Sequence, residues 1–221
     1  LSSLMQSDPD SEVREAADIF EKATALDPRR AEAQQALGEI NLRLEQYEAA
    51  HAAFLRAAEL EPGNPIHLRQ AGECLWRSGE RAAAIATWQK SLATHPDETA
   101  TLARLGAALT QQGRYAEALN ALEQAATSHP ANAALALEAA RAAICLSEFN
   151  RALNHLEHAA KATPNDPEVW QLIGQVCVAR SAPQKALAAY QRAVQLAPNA
   201  GRPLAALAQL LAESGNMPEA L

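Results

Sequence analysis

Apolar positions recur along this chain in two alternating kinds of helical stretch. In AALALEAARAAIC, residues 133–145, they follow helical spacing for 13 residues. A break comes next at Ser147, and comparable breaks stand at Gly79, Gly113, Ser181 and Gly215. A second amphipathic stretch then runs up to a proline, which cannot continue a helix. YEAAHAAFLRAAELEPGNP, residues 47–65, shows one such stretch with its ending. Asn64-Pro65 and Asp166-Pro167 read as an N-cap followed by the first residue of the next helix. The alanine-rich, strand-poor composition agrees, and the prediction is an all-α chain.

The pattern is periodic. Pro28, Pro62, Pro96, Pro130, Pro164 and Pro198 are 34 residues apart throughout, six of the twelve prolines in the chain. Counting each repeat from the third residue after a periodic proline, so that repeats start at 31, 65, 99, 133, 167 and 201, the eighth position is small: Gly38, Gly72, Gly106, Ala140, Gly174 and Ala208. The twentieth is alanine, at 16, 50, 84, 118, 152, 186 and 220. The twenty-seventh is Ala23, Ala57, Ser91, Ala125, Ala159 or Ala193. The twenty-fourth is large: Phe20, Phe54, Trp88, Leu122, Leu156 and Tyr190. Small residues let two helix backbones approach, and the large one fills the space beside them. A period near 34 indicates a helical solenoid rather than a closed core.

Composition narrows the function classes. The chain has 19 Lys and Arg against 26 Asp and Glu, a net charge of −7. That argues against a general nucleic-acid binder, which would present a basic face. No apolar run approaches the roughly 20 residues that span a bilayer, so no membrane insertion is expected. Cys74, Cys145 and Cys177 are far apart and include no C-x-x-C pair. They read as buried free thiols in a reducing compartment, the cytoplasm, rather than as a disulfide or zinc framework. The nine glycines are used up by close packing, turns and repeat junctions. None remains for a phosphate loop, and neither H-E-x-x-H nor G-x-S-x-G occurs. No catalysis and no cofactor are expected.

NHLEHAAK places His155 and His158 three residues apart on one helix face, but no third metal ligand is evident. They read as surface histidines. His95 and His129 precede periodic prolines and read as helix-end residues. Trp88 and Trp170 read as core.

The repeat resembles the tetratricopeptide family, over the whole chain. WQLIGQVC, with Trp170, Ile173 and Gly174, and LARLGAAL follow the family pattern closely, whereas ALEAARAA, with Ala136, Ala139 and Ala140, is a diluted copy. The chain is expected to be a single array. Full repeats would cover 31–64, 65–98, 99–132, 133–166 and 167–200, and partial ones 1–30 and 201–221. Asp8-Pro9 falls where the first partial repeat's leading helix should still run, so that helix is expected to end early. The pentatricopeptide family, with a period near 35 and RNA as ligand, fits the unvarying period and the acidic balance less well.

The resemblance implies a right-handed superhelix whose first helices line a concave groove. It also implies a protein or peptide ligand of unspecified identity, held by the second, fifth, sixth, ninth, twelfth and thirteenth positions of each repeat. In this chain those positions bring forward Arg69, Gln70, Glu73, Trp76, Arg77, Arg104, Gln111, Glu138, Arg141, Gln171 and Gln175. Arginine suits a bidentate grip on carboxylates. Equally, Arg69, Glu73 and Arg77 are spaced to pair along their own helix. Family members that clamp chaperone C-termini carry Lys and Asn where Gln35, Glu39 and Gln70 stand here. The Asn ladder of the O-linked N-acetylglucosamine transferase arm is also missing. The expected function is a protein-interaction scaffold; the alternative is the repeat arm of a larger enzyme, such as a glycosyltransferase, or of a polysaccharide-export protein. Leu204, Leu207 and Leu211 give the last helix an apolar face, for which self-association is expected.

Overall fold

The computed structural model describes residues 9–213, with side chains from residue 18 onward. It contains twelve helices among the described residues and no strand: α1 (Pro9–Leu26), α2 (Ala31–Arg43), α3 (Tyr47–Leu60), α4 (Pro65–Ser78), α5 (Arg81–Thr94), α6 (Thr99–Gln111), α7 (Tyr115–Ser128), α8 (Ala133–Cys145), α9 (Phe149–Ala162), α10 (Pro167–Ala179), α11 (Pro183–Leu196) and α12 (Gly201–Glu213). First helices begin at 31, 65, 99, 133, 167 and 201, and second helices at 47, 81, 115, 149 and 183, so the sequence period is the period of the helices. Pro9 heads α1. The leading helix of that partial repeat, like Gly215 and Ala220, lies outside the described residues.

Each helical hairpin closes through one backbone device. The residue at the fifteenth position adopts positive φ in all five repeats that show it: Glu45 at 58°, Gly79 at 95°, Gly113 at 74°, Ser147 at 59° and Ser181 at 55°. The next residue's N–H then reaches back to a carbonyl five positions earlier, from Gln46 to Asn41 at 2.9 Å, Glu80 to Leu75 at 2.8 Å and Ala182 to Cys177 at 2.8 Å. This caps the last turn of each first helix. Glu45 performs the turn without glycine or serine, so the sequence pattern does not announce it.

The two helix starts that the sequence marks are capped as predicted. Asn64 Oδ1 accepts from the Ile66 N–H at 3.1 Å, and Asp166 Oδ1 from the Glu168 N–H at 2.9 Å. Asn132 accepts from the Ala134 and Leu135 N–H groups in the same way.

Close packing explains the eighth and twenty-fourth positions. A Cβ added at Gly38 would lie 2.9 Å from the Phe54 ring. At Gly72 it would meet Trp88 Nε1 at 2.3 Å, at Gly106 Leu122 Cγ at 2.5 Å, and at Gly174 Tyr190 Cε1 at 2.7 Å. The alanines of the twentieth and twenty-seventh positions are buried at the same helix crossings: Ala50, Ala57, Ala84, Ala118, Ala125, Ala152, Ala159, Ala186 and Ala193 are inaccessible to solvent. Trp88 is core, its indole N–H donating to the Arg69 carbonyl at 3.0 Å. Trp170 is only half-buried; its N–H donates to the Pro164 carbonyl at 2.9 Å, pinning the turn before its helix.

The chain divides into two compact units, up to Leu105 and from Gly106 onward. In the first, α1 to α5 each pack on the next in sequence; in the second, α7 to α12 do the same. Such nearest-neighbour packing is the energetic basis of a repeat fold.

Candidate functional site

The first helices present the polar positions singled out above. In the first unit, Glu73 on α4 is buried. It accepts from Arg77 Nε one turn along at 3.0 Å, and Arg104 Nε on α6 lies 3.6 Å from its other oxygen. Arg69 does not join this group. It turns to Glu98, with Nε 3.8 Å from the carboxylate. Of the two pairings available along α4, only Glu73–Arg77 forms. Gln70 is half-buried beside them.

Trp76 is less free than a groove anchor would be. It is half-buried, with its ring centroid 5.9 Å from that of the core Trp88. The Arg81 guanidinium lies over it, 4.8 Å from the centroid. A cation at that distance occupies the ring face that a ligand would use.

In the second unit, Arg141 on α8 lies between two carboxylates. Glu138, one turn back on its own helix, is 3.4 Å away, and Glu168 on α10 is bonded to its Nη2. Gln171 is half-buried; Gln111 and Gln175 are exposed. The structure therefore places most of these side chains at the surface of first helices, with Glu73 the buried exception.

A second charged cluster lies on second helices, and sequence reasoning missed it. Glu123 on α7 accepts from Arg151 on α9 through Nε at 3.2 Å and Nη2 at 2.5 Å, and contacts His155 Nε2 at 2.9 Å. Arg151 also reaches Glu148 at 2.5 Å. Burial pushes the Glu123 carboxyl up, but the hydrogen bonds from Arg151 and His155 outweigh it and hold the group below the usual carboxylate range. His155 is thus an ion-network member and not a solvated surface histidine; His158 is exposed as expected. The signal was available: Glu123 and Arg151 are 28 residues apart, a little under one period, as Arg141 and Glu168 are at 27.

Two further expectations change. Cys74 and Cys177 are buried, and burial followed by the Glu73 charge pushes the Cys74 thiol up to about 11. Cys145 is exposed, because the thirteenth position of a first helix faces away from the helix crossing. On α12, Leu211 is buried and Leu207 packs toward Tyr190, leaving Leu204 as the exposed leucine at 39%. Among the described residues no group of three or more His, Cys, Asp or Glu could hold a metal ion, and no helix is long and apolar enough to cross a membrane.

Recurring helical hairpins closed by a left-handed turn, with a glycine against a large residue at four of the crossings, define an all-α solenoid of helical repeats. One tetratricopeptide-repeat profile matches residues 11–65 and 69–134, and a second matches 109–176. The chain belongs to the tetratricopeptide repeat family. No curated protein sequence matches it. Among solved structures, it is similar to YrrB, described as a tetratricopeptide-repeat protein with an unusual peptide-binding site. That match has TM-score 0.75 and 18% identity, and covers 86% of this chain and 98% of that one. The C-terminal part of a repeat protein from Cytophaga hutchinsonii matches with TM-score 0.75 at 14% identity over 94% and 83% of the two chains. MamA from Desulfovibrio magneticus RS-1 matches with TM-score 0.67 at 22% identity over 77% and 97%. These likenesses show the fold. The family generally serves as a scaffold for protein–protein interaction and is generally non-catalytic.

Proposed function

We propose that the chain is one tetratricopeptide array that captures a protein or peptide partner on its first-helix faces and performs no chemistry of its own. The observation that carries this reading is the division of labour along each first helix. The eighth position is consumed by packing against the second helix, while Arg77, Arg104 and Gln175 remain exposed and Arg141 half-exposed on the same helices. Polar side chains held on a rigid helical frame bind with little ordering cost. Self-association, the other interaction expected from the sequence, would rest on Leu204, and sedimentation of wild type against Leu204→Glu tests it.

The experiment for the main reading is to identify the partner by cross-linking and mass spectrometry, then titrate it against variants. Arg104→Ala in the first unit, and Arg141→Ala in the second, should each weaken capture about threefold or more, with thermal melts moving little because Arg77 still pairs with the buried Glu73 and surface substitutions stay within about 0.5 kcal/mol. Trp76→Ala should lower both affinity and melting temperature, since its ring borders Trp88. Unchanged affinity across all of these variants would place the interface elsewhere.

A further inference from the structure

The first-helix faces of the two units carry ion triads of opposite sign. In the first unit the acid is inside: the Glu73 side chain is 10% exposed, whereas Arg77 and Arg104 are 47% and 58% exposed. Two guanidiniums against one carboxylate leave one positive charge uncompensated, and it lies on the solvent side. In the second unit the arrangement is reversed. Arg141, 39% exposed, is shared by Glu138 and Glu168 at 37% and 48%. One guanidinium against two carboxylates leaves one negative charge. Among the described residues, no other ionisable group forms an ion pair with any of these six.

We infer that the two units take opposite charges from a protein partner. The Arg77–Glu73–Arg104 triad receives a carboxylate side chain, and the Glu138–Arg141–Glu168 triad receives an ammonium or guanidinium. The inference rests on the first-helix faces being the interface. In each case the fourth group completes an alternating set in which every charge is flanked by its opposite. In the first unit the partner's carboxylate finds two arginines already oriented by Glu73, so its hydrogen bonds are charge-assisted and little side-chain freedom is lost on binding. The same carboxylate brought to the second unit meets net negative charge and is repelled. Such paired attraction and repulsion selects partners by charge order more than by raw affinity.

The test uses the full chain and two probe peptides, acetyl-(Gly-Glu)3-amide and acetyl-(Gly-Lys)3-amide, followed by amide chemical shifts and titration at low salt. The acidic probe should shift residues of α4 and 99–105, and the basic probe those of α8 and α10. The variants are chosen for their signs. Glu73→Gln raises the first triad's excess charge and should tighten the acidic probe about three- to fivefold; Arg104→Gln should weaken it by a similar factor. Arg141→Gln should tighten the basic probe and Glu168→Gln should weaken it. Both probes should be lost as salt shortens the screening length. A merely structural role for the triads would not produce tightening on removal of a native ion-pair partner. An acidic probe that maps to α8 and α10, or one that weakens on Glu73→Gln, overturns the inference. If neither probe responds to the charge variants while the natural partner is still released by the alanine variants, the charge inference falls and the interface stands. If the natural partner ignores those alanine variants as well, the interface itself is wrong.

Discussion

At Gly72 the fold depends on the absence of a single carbon. A Cβ there would sit 2.3 Å from Trp88 Nε1 and 2.6 Å from Cδ1, well inside contact distance. The ring has nowhere to go, being 1% exposed and tethered through its N–H to the Arg69 carbonyl. Gly72→Ala should therefore destabilise the protein by about 1–3 kcal/mol, as overpacking does elsewhere, measured by urea denaturation. The chain itself contains the compensated form, since Ala140 stands at the equivalent place opposite Leu156. Gly72→Ala combined with Trp88→Leu should accordingly lose less than the sum of the two single changes, a favourable coupling that a double-mutant cycle reads directly. Strict additivity would show that the contact between the eighth and twenty-fourth positions does not set the hairpin spacing. Gly106→Leu forces the same contact harder, against Leu122, and should cost at least as much.

At the scale of the element, the informative feature is the turn between the two helices of each hairpin. Its fifteenth position needs positive φ, which side chains with a Cβ adopt at a cost of roughly 1 kcal/mol. Gly79 and Gly113 avoid that cost; Glu45, at 58°, does not. Glu45 is exposed and its side chain forms no hydrogen bond or ion pair among the described residues, so removing it forfeits little. Glu45→Gly should raise stability by about 0.5–1 kcal/mol, the strain relieved exceeding the extra entropy of an unfolded glycine. Thermal melting checks it, and a loss of stability would mean that the turn is shaped by tertiary contacts and not by its own backbone. The hydrogen bond from the sixteenth N–H back to the eleventh carbonyl recurs in all five turns, so the same argument extends to Ser147 and Ser181.

At the scale of the molecule, stability within each unit is a chain of neighbour-to-neighbour interfaces, and charges contribute where they join one repeat to the next. Glu123, bonded to Arg151 and His155 across the α7–α9 junction, carries the clearest pH signature. Its folded pKa lies below its unfolded value, near 4.3 for a free glutamate. Its contribution is therefore fully present above that value and is lost as pH falls through the lower, folded one. Wild type should melt above Glu123→Gln at neutral pH, and the two curves should converge in acid. A gap that persists to the lowest pH would show that the carboxylate's charge is not what stabilises the junction. The one-dimensional pattern of the chain determined the helices, their 34-residue spacing, the glycine-to-large-residue crossings and the Asn64 and Asp166 caps. All of these follow from local periodicity, from the missing Cβ of glycine and from the missing N–H of proline, so they are written in neighbouring letters. Only the tertiary structure decided that Arg69 pairs with Glu98 and not with Glu73, that Glu73 is buried, that Arg81 covers Trp76, that Cys145 is exposed, and that His155 belongs to Glu123. Long charged side chains choose among partners of similar energy, and the choice depends on what the next repeat, some 27 or 28 residues along the chain, brings within reach.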